Sequence, residues 1–235
     1  MVPSASALQA NLLTVHERIG RACARAGRRP ESVLLLAVSK TFPAAAVRAA
    51  ADAGQRHFGE NYVPEGSDKA AELAADGREP ALVWHFIGPV QSNKTRPIAQ
   101  GFQWVHTVER EKVAHRLSEQ RDPSQPPLQV CLQVNVSGEG SKSGVAPQDV
   151  HALADAVASL PRLRLRGLMA IPEPTHDESV QRARFAQLRG LLESLRQRGH
   201  DMDTLSMGMS ADLEAAILEG ATIVQIGTAI FGERT

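Results

Sequence analysis

A chain of 235 residues with 43% hydrophobic and 22% charged side chains can bury one sizeable α/β core. Lys+Arg and Asp+Glu are equal at 26 each, so no net charge draws the chain to nucleic acid or to an anionic membrane. The two cysteines, Cys23 in a helical pattern and Cys131 in a strand pattern, form no CxxC pair and read as small buried residues of a reducing compartment.

The first segment is helical, with Leu8, Leu12, Val15, Ile19, Ala22, Cys23 and Ala26 on one face at three- and four-residue steps and Gly27 as the stop. Residues 33–38 form an unbroken apolar run too short for a helix, which reads as a strand buried on both faces. Pro43 then opens a helix running to Gly54. Strand 56–59 ends at Glu60-Asn61, helix 63–75 stops near Gly77, and strand 82–87 closes at Gly88-Pro89. Helix 94–99, strand 102–107 and helix 110–119 follow, then a proline-rich loop at 122–127. The longest strand is expected over 128–136, before a Gly/Ser-rich loop that reaches Gly144. Helix 147–160, strand 163–171, helix 176–198, strand 204–206, helix 211–218 and strand 221–226 complete the series, with a last short helix through Phe231.

Eight strands, each followed by a helix, on this length predict an α/β fold with a single (β/α)₈ TIM barrel and an extra N-terminal helix. One domain is expected over residues 1–235, with residues 1–30 packed on the barrel. The alternative, an open doubly wound sheet, lacks a GxGxxG fingerprint after the first strand, and no P-loop occurs. No N-terminal leader pattern or apolar run of spanning length is present, so a cytoplasmic location is expected.

All eight strands of such a barrel aim their carboxyl ends at one mouth. The residues expected there are polar: Lys40, Glu60-Asn61, His85 a residue or two early, Thr107, Asn135 to Ser137, Met169, Ser206 and Gly227-Thr228. A lysine at the end of a buried strand loses hydration, which favours the neutral, nucleophilic amine; a solvated lysine is the plainer alternative. Gly208-Met209-Ser210 and Gly227-Thr228 each precede a helix, where unpaired N–H groups and a glycine backbone suit a phosphate. A phosphate cup after the last two strands, with a strand-end lysine, admits two chemistries: a phosphosugar aldolase or a pyridoxal phosphate protein. The position of Lys40 after the first strand, not late in the barrel, favours the second. The eight histidines show no ligand spacing, so no metal site is expected.

The blocks Leu36-Ala37-Val38-Ser39-Lys40-Thr41, Phe58-Gly59-Glu60-Asn61-Tyr62, Trp84-His85-Phe86-Ile87-Gly88 and Gln91-Ser92-Asn93-Lys94 run in order. They continue through Ser141-Lys142-Ser143-Gly144, Arg166-Gly167-Leu168-Met169, Leu205 to Ser210 and Ile226 to Gly232. Together they resemble the pyridoxal phosphate homeostasis proteins, the YggS/PROSC family. The resemblance implies a barrel like the N-terminal barrel of alanine racemase (fold type III), with pyridoxal 5′-phosphate held through Lys40 as an aldimine. It implies phosphate contacts at Ser210, Gly227 and Thr228, and wall or ring contacts at Asn61 and Ser206. It also implies a homeostatic role without efficient catalysis, in a monomer that exchanges cofactor with pyridoxal phosphate-dependent apoenzymes or with enzymes that form the cofactor.

Three positions depart from the pattern. Phe42 stands where many relatives carry a second lysine, Gln225 where many carry arginine, and no lysine-rich tail precedes Thr235. The rival reading is a racemase-type enzyme of the same fold type, which would need a second base. Tyr62 is the single tyrosine. His85 and Lys142 are further candidates for the mouth, each with an ordinary structural alternative.

Overall fold

The computed structural model describes residues 3–77, 81–137 and 143–233. Eight parallel strands close into a barrel in sequential order, with the last strand pairing with the first. The strands are β1 (Leu34–Val38), β2 (His57–Glu60), β3 (Val83–Phe86), β4 (Trp104–Val108), β5 (Leu128–Gln133), β6 (Leu163–Met169), β7 (Thr204–Ser206) and β8 (Ile223–Ile226). An added helix, α1 (Ala5–Arg25), precedes β1. The helices after each strand are α2 (Ala44–Asp52), α3 (Val63–Ala74), α4 (Thr95–Gly101), α5 (Glu111–Gln120), α6 (Val150–Ala158), α7 (Glu178–Gln197), α8 (Leu213–Leu218) and α9 (Thr228–Phe231).

The expected alternation therefore holds, and the corrections concern ends. Strand pairing in β5 stops at Gln133, and only Val134 continues it, as an isolated bridge to Val145. Val134 and Val136 are buried, so the apolar pattern runs on past the point where the ladder ends. The longest strand is β6. Pro43 caps α2 from outside and is not its first helical residue.

Two layers of packing follow from the two-residue alternation of strand side chains. Along β1, Leu35 and Ala37 point outward into the large shell between strands and helices. Leu36 and Val38 point inward, where they meet Ile87 and Ile223, with Leu34 and Trp104 packed alongside. Helix α1 buries Leu8, Leu12, Val15, Ile19, Ala22 and Cys23. Ser4 caps its first turn through a 3.2 Å hydrogen bond from Ala7 N. This helix lies against α2, α8 and α9, across the seam where β1 meets β8. No helix among the described residues is long and apolar enough to cross a membrane.

Candidate functional site

The turn carrying Lys40 begins where β1 ends. Ser39 continues the pairing through a 3.0 Å bond from its N–H to Gly59 O, and the backbone then bends sharply. Thr41 adopts φ 70°, in the left-handed region that a β-branched residue occupies only when held there. The holding groups are on α3 and β2. The Thr41 N–H donates to Glu65 Oε1 at 2.5 Å. The buried Lys69 ammonium donates to Ser39 O at 2.8 Å, to Glu60 Oε1 at 2.9 Å and to Glu65 Oε1 at 2.6 Å.

Glu60 is fully buried and also accepts from the Ser39 hydroxyl at 2.6 Å. Burial pushes its carboxyl above the usual range, against the pull of Lys69 and Ser39. Its second oxygen, Oε2, has no hydrogen-bond partner among the described residues. Lys69 thus serves two carboxylates and a carbonyl, and fixes the turn from beneath.

Lys40 opens into a cavity of about 240 Å³ at the carboxyl ends of the strands. Val38, Asn61, Ile87, Ile171, Met209, Ser210, Ala211, Gln225, Gly227 and Thr228 complete its lining. Five of the six residues expected in the site from sequence are therefore brought together: Lys40, Asn61, Ser210, Gly227 and Thr228. Two glycines permit the arrangement. A Cβ on Gly227 would sit 3.3 Å from Val38 O and 3.4 Å from Val38 Cβ, against the strand that leads to Lys40. A Cβ on Gly88 would fall 2.2 Å from the Asn61 carbonyl oxygen, so only glycine lets the two chain segments approach this closely.

Helix α1 supports the loops from outside. Arg18 donates to Ser210 O at 3.0 Å and forms a two-bonded pair with Glu214, each bond 2.8 Å. Asn11 donates to Ile230 O at 2.8 Å. Ser210 Oγ accepts from Ala229 N at 3.4 Å, which ties the loop after β7 to the first turn of α9. Phe42 is buried and stacks on Phe231 with ring centroids 5.2 Å apart. The position that carries lysine in many resembling proteins is thus an apolar contact to α9 here.

The sixth expected residue, Ser206, is buried at the end of β7 and reaches the cavity through Gln225, whose Nε2 donates to its hydroxyl at 2.9 Å. Behind it runs a line of imidazoles. His106 Nδ1 lies 2.8 Å from Ser206 Oγ, His85 Nδ1 2.8 Å from His106 Nε2, and His57 Nδ1 2.9 Å from His85 Nε2. Burial lowers the pKa of all three. That of His106 falls to about 3, and that of His85 lies well below the ordinary value, with His106 and His57 adding to the effect. His85 is therefore an interior residue of the barrel. Sequence reading missed His57 and His106, which stand one layer beneath the strand ends.

Among the described residues, no three His, Cys, Asp or Glu side chains converge as a metal site. Tyr62 is exposed and lines a neighbouring cavity with Val63, Pro64, Pro89, Gln91 and Lys94; Asn61 borders both. Lys142 lies outside the described residues. A larger cavity, about 380 Å³, is lined by residues of α3, β3 and the segment around Gly101-Gln103, with Ala70, Leu73, Ala74 and Trp84 among its walls. Among the described residues its walls are mostly aliphatic and aromatic, with Gln103, and bring no nucleophile or charged side chain.

A closed parallel barrel with a lysine after its first strand and glycine-rich loops after its last two defines a class of protein. The family described as alanine racemase, N-terminal domain, matches residues 5–235. The chain is 63% identical to the pyridoxal phosphate homeostasis protein of Pseudomonas aeruginosa over 229 residues, covering 97% of this chain and 96% of that protein. It is 53% identical to the protein of that name from Escherichia coli over 227 residues, 95% of each. It belongs to the pyridoxal phosphate homeostasis protein family. Among solved structures, PipY of Synechococcus elongatus with pyridoxal phosphate bound is 39% identical, with a TM-score of 0.78 over 92% of this chain and all of that one. Alanine racemase from Corynebacterium glutamicum, 17% identical, shares the fold with a TM-score of 0.67 over 96% of this chain and 60% of its own.

Proposed function

We propose that this protein binds pyridoxal 5′-phosphate in the Lys40 cavity and acts in intracellular homeostasis of that cofactor, without efficient catalysis of its own. The observation that carries the reading is the meeting of Lys40, Ser210, Gly227 and Thr228 in one cavity at the carboxyl ends of β1, β7 and β8. The donor set fits the cofactor. An amine faces the space where an aldehyde would lie, and two hydroxyls with a glycine backbone face the space for a phosphate. A relative 39% identical is described with pyridoxal phosphate bound. When bound, the cofactor supplies an aldehyde that condenses with a lysine amine, releasing water.

Lys40 is the residue assigned to that bond. Ser210, Gly227 and Thr228 hold the phosphate, Asn61 forms the wall, and Ser206 contributes to the ring side through Gln225. The Glu60–Lys69–Glu65 cluster orients Lys40 by fixing the turn on both sides of it. Homeostasis implies that the cofactor passes to pyridoxal phosphate-dependent apoenzymes or arrives from enzymes that form it. A monomeric, cytoplasmic barrel suits that traffic. Residues 1–235 act as a single domain, with the N-terminal helix as its brace.

A lysine-linked cofactor gives a visible absorption band, and borohydride reduction fixes it for peptide mapping. The expected adduct is on Lys40, and Lys40→Ala removes it while the protein stays folded. An adduct mapping mainly to Lys94 or Lys142 sinks the assignment. Racemase activity would need bases on both faces of the reacting carbon. Incubation of the loaded protein with D- and L-amino acids in deuterated water should show no rapid, saturable exchange at Cα. Exchange that is lost in Lys40→Ala would establish the enzyme instead.

A further inference from the structure

The imidazole line described above ends in a side chain that borders the cavity. A neutral imidazole has one donor nitrogen and one acceptor nitrogen. Each link between His57, His85 and His106 therefore points one way, and fixing one link fixes the next. The three rings are buried or half-buried, and burial holds them neutral. Stacking of Trp104 on His85, with rings 13° from parallel and 5.3 Å apart, keeps the middle ring in the plane its two bonds require.

The direction follows from the cavity end. Gln225 Nε2 donates to Ser206 Oγ. The Ser206 hydroxyl hydrogen then has His106 Nδ1 as its acceptor, 2.8 Å away. His106 must carry its proton on Nε2 to serve His85 Nδ1, and His85 must carry its own on Nε2 to serve His57 Nδ1. Gln225, which lines the cavity, is left with its carboxamide oxygen as its acceptor there, beside the second N–H of its amide. Run the other way, the same chain would have Ser206 donate to Gln225 Oε1, and the amide N–H groups would face the cavity. The tautomers of three histidines and the hydrogen-bonding polarity of the cavity floor are one variable.

We propose that His57, His85, His106 and Ser206 are positioning residues that act through Gln225. They hold its carboxamide oxygen toward the cavity and so select a ligand that offers a hydrogen-bond donor there, such as the protonated ring nitrogen of a pyridine. The ligand half rests on the reading of the cavity as a pyridoxal phosphate site; the tautomer half does not. An arginine at position 225 can only donate, so the glutamine is what makes the floor's polarity depend on the chain behind it.

The test starts with ligand-free protein labelled with ¹⁵N at histidine. The imidazole nitrogen shifts of the wild type should show all three rings neutral and protonated at Nε2. Ser206→Ala removes the donor that orients His106, and both tautomers should then appear at His57, three side chains away. Where Ser206→Ala fails to fold, Gln225→Glu serves, observed at a pH where the ¹³C shift of the new carboxylate shows it ionised. A carboxylate only accepts, so all three rings should move to the Nδ1–H form. Mixed tautomers in the wild type, or an unchanged His57 in the folded variant, overturn the relay.

For the ligand half, pyridoxal phosphate labelled with ¹⁵N in the ring should bind with a protonated nitrogen. Its affinity for Ser206→Ala should fall roughly three- to tenfold, the worth of about one hydrogen bond. An unprotonated ring nitrogen in the wild type overturns this half. Failure of the cofactor to bind at all would remove the cofactor reading together with the ligand half, whereas the imidazole tautomers decide the relay by themselves.

Discussion

The outer shell and the barrel interior are built of different materials. Between strands and helices, Phe58, Phe86, Phe102, Phe185, Leu117 and Leu128 are fully buried among other apolar side chains. Inside the barrel, a small cluster of Leu36, Val38, Ile87 and Ile223 shares the space with His57, His85, His106, Ser206 and Gln225. The shell gains stability from area removed from water and is indifferent to direction. The interior holds groups whose burial is tolerable only while every donor finds its acceptor. One region makes the fold, and the other makes the fold conditional on its hydrogen bonds.

Acid should separate the two regions most strongly. An unfolded histidine takes up a proton near pH 6.5, whereas folded His106 refuses one until about pH 3. The unfolded state therefore binds more protons within that window, so stability rises with pH across it and is lost on acidification from about 6.5 toward 3. His106 alone contributes a loss on the order of 4 kcal/mol, and His85 acts in the same direction. Urea denaturation at pH 7 and pH 4 measures it. A midpoint that does not move would mean the interior imidazoles are solvated.

Truncating the shell should cost nearly as much but without pH dependence. Phe185→Ala leaves a cavity under α7, and a loss of about 3–4 kcal/mol is expected at either pH. A loss that grew on acidification would contradict the division between the regions. Next in size is a change at the mouth, which should touch the ligand and spare the fold. Gly227→Val presses a side chain against Val38. It should weaken pyridoxal phosphate by roughly ten- to a hundredfold and pyridoxal much less, by titration of both ligands. Equal losses for the two would place the phosphate elsewhere. The smallest effect expected is that of Lys40→Ala on stability, within about 0.5 kcal/mol by denaturation, because the side chain lines a cavity and not the core.

The architecture was legible because the outward face of every strand and the inward face of every helix are written as apolar periodicity. Strand ends were less so. Val134 and Val136 keep the alternation of β5 going although only Val134 finds a backbone partner. Lys40, Ser210, Gly227 and Thr228 could be found because they sit at strand ends beside glycines and helix starts, which are local signals. Asn61 and Ser206 were expected at strand ends in the same way, and the resemblance added only their wall and ring-side roles. The imidazole line could not be found in this way. His57 opens β2, while His85 and His106 are third in β3 and β4. Their alignment arises from the stagger between neighbouring strands, in which His85 pairs with Gly59 and with Trp104. A single sequence states no such register. Gln225 carried a hint as a departure from arginine, yet it meets the imidazoles only through Ser206, whose own partner His106 is 100 positions away.

The seam between β1 and β8 has a consequence for the order of events during synthesis. Leu34 through Ala37 find their strand partners only in Ile223 through Ile226, and α1 finds α8 and α9 only after those are made. The lysine leaves the ribosome long before the loops that face it across the cavity. Contacts of such long sequence separation form late and slowly. A nascent chain bearing Lys40 therefore has no Ser210, Gly227 or Thr228 opposite it to complete the cavity. Under the proposed reading, capture of cofactor in this cavity would require the closed barrel, and loading would then measure barrel closure.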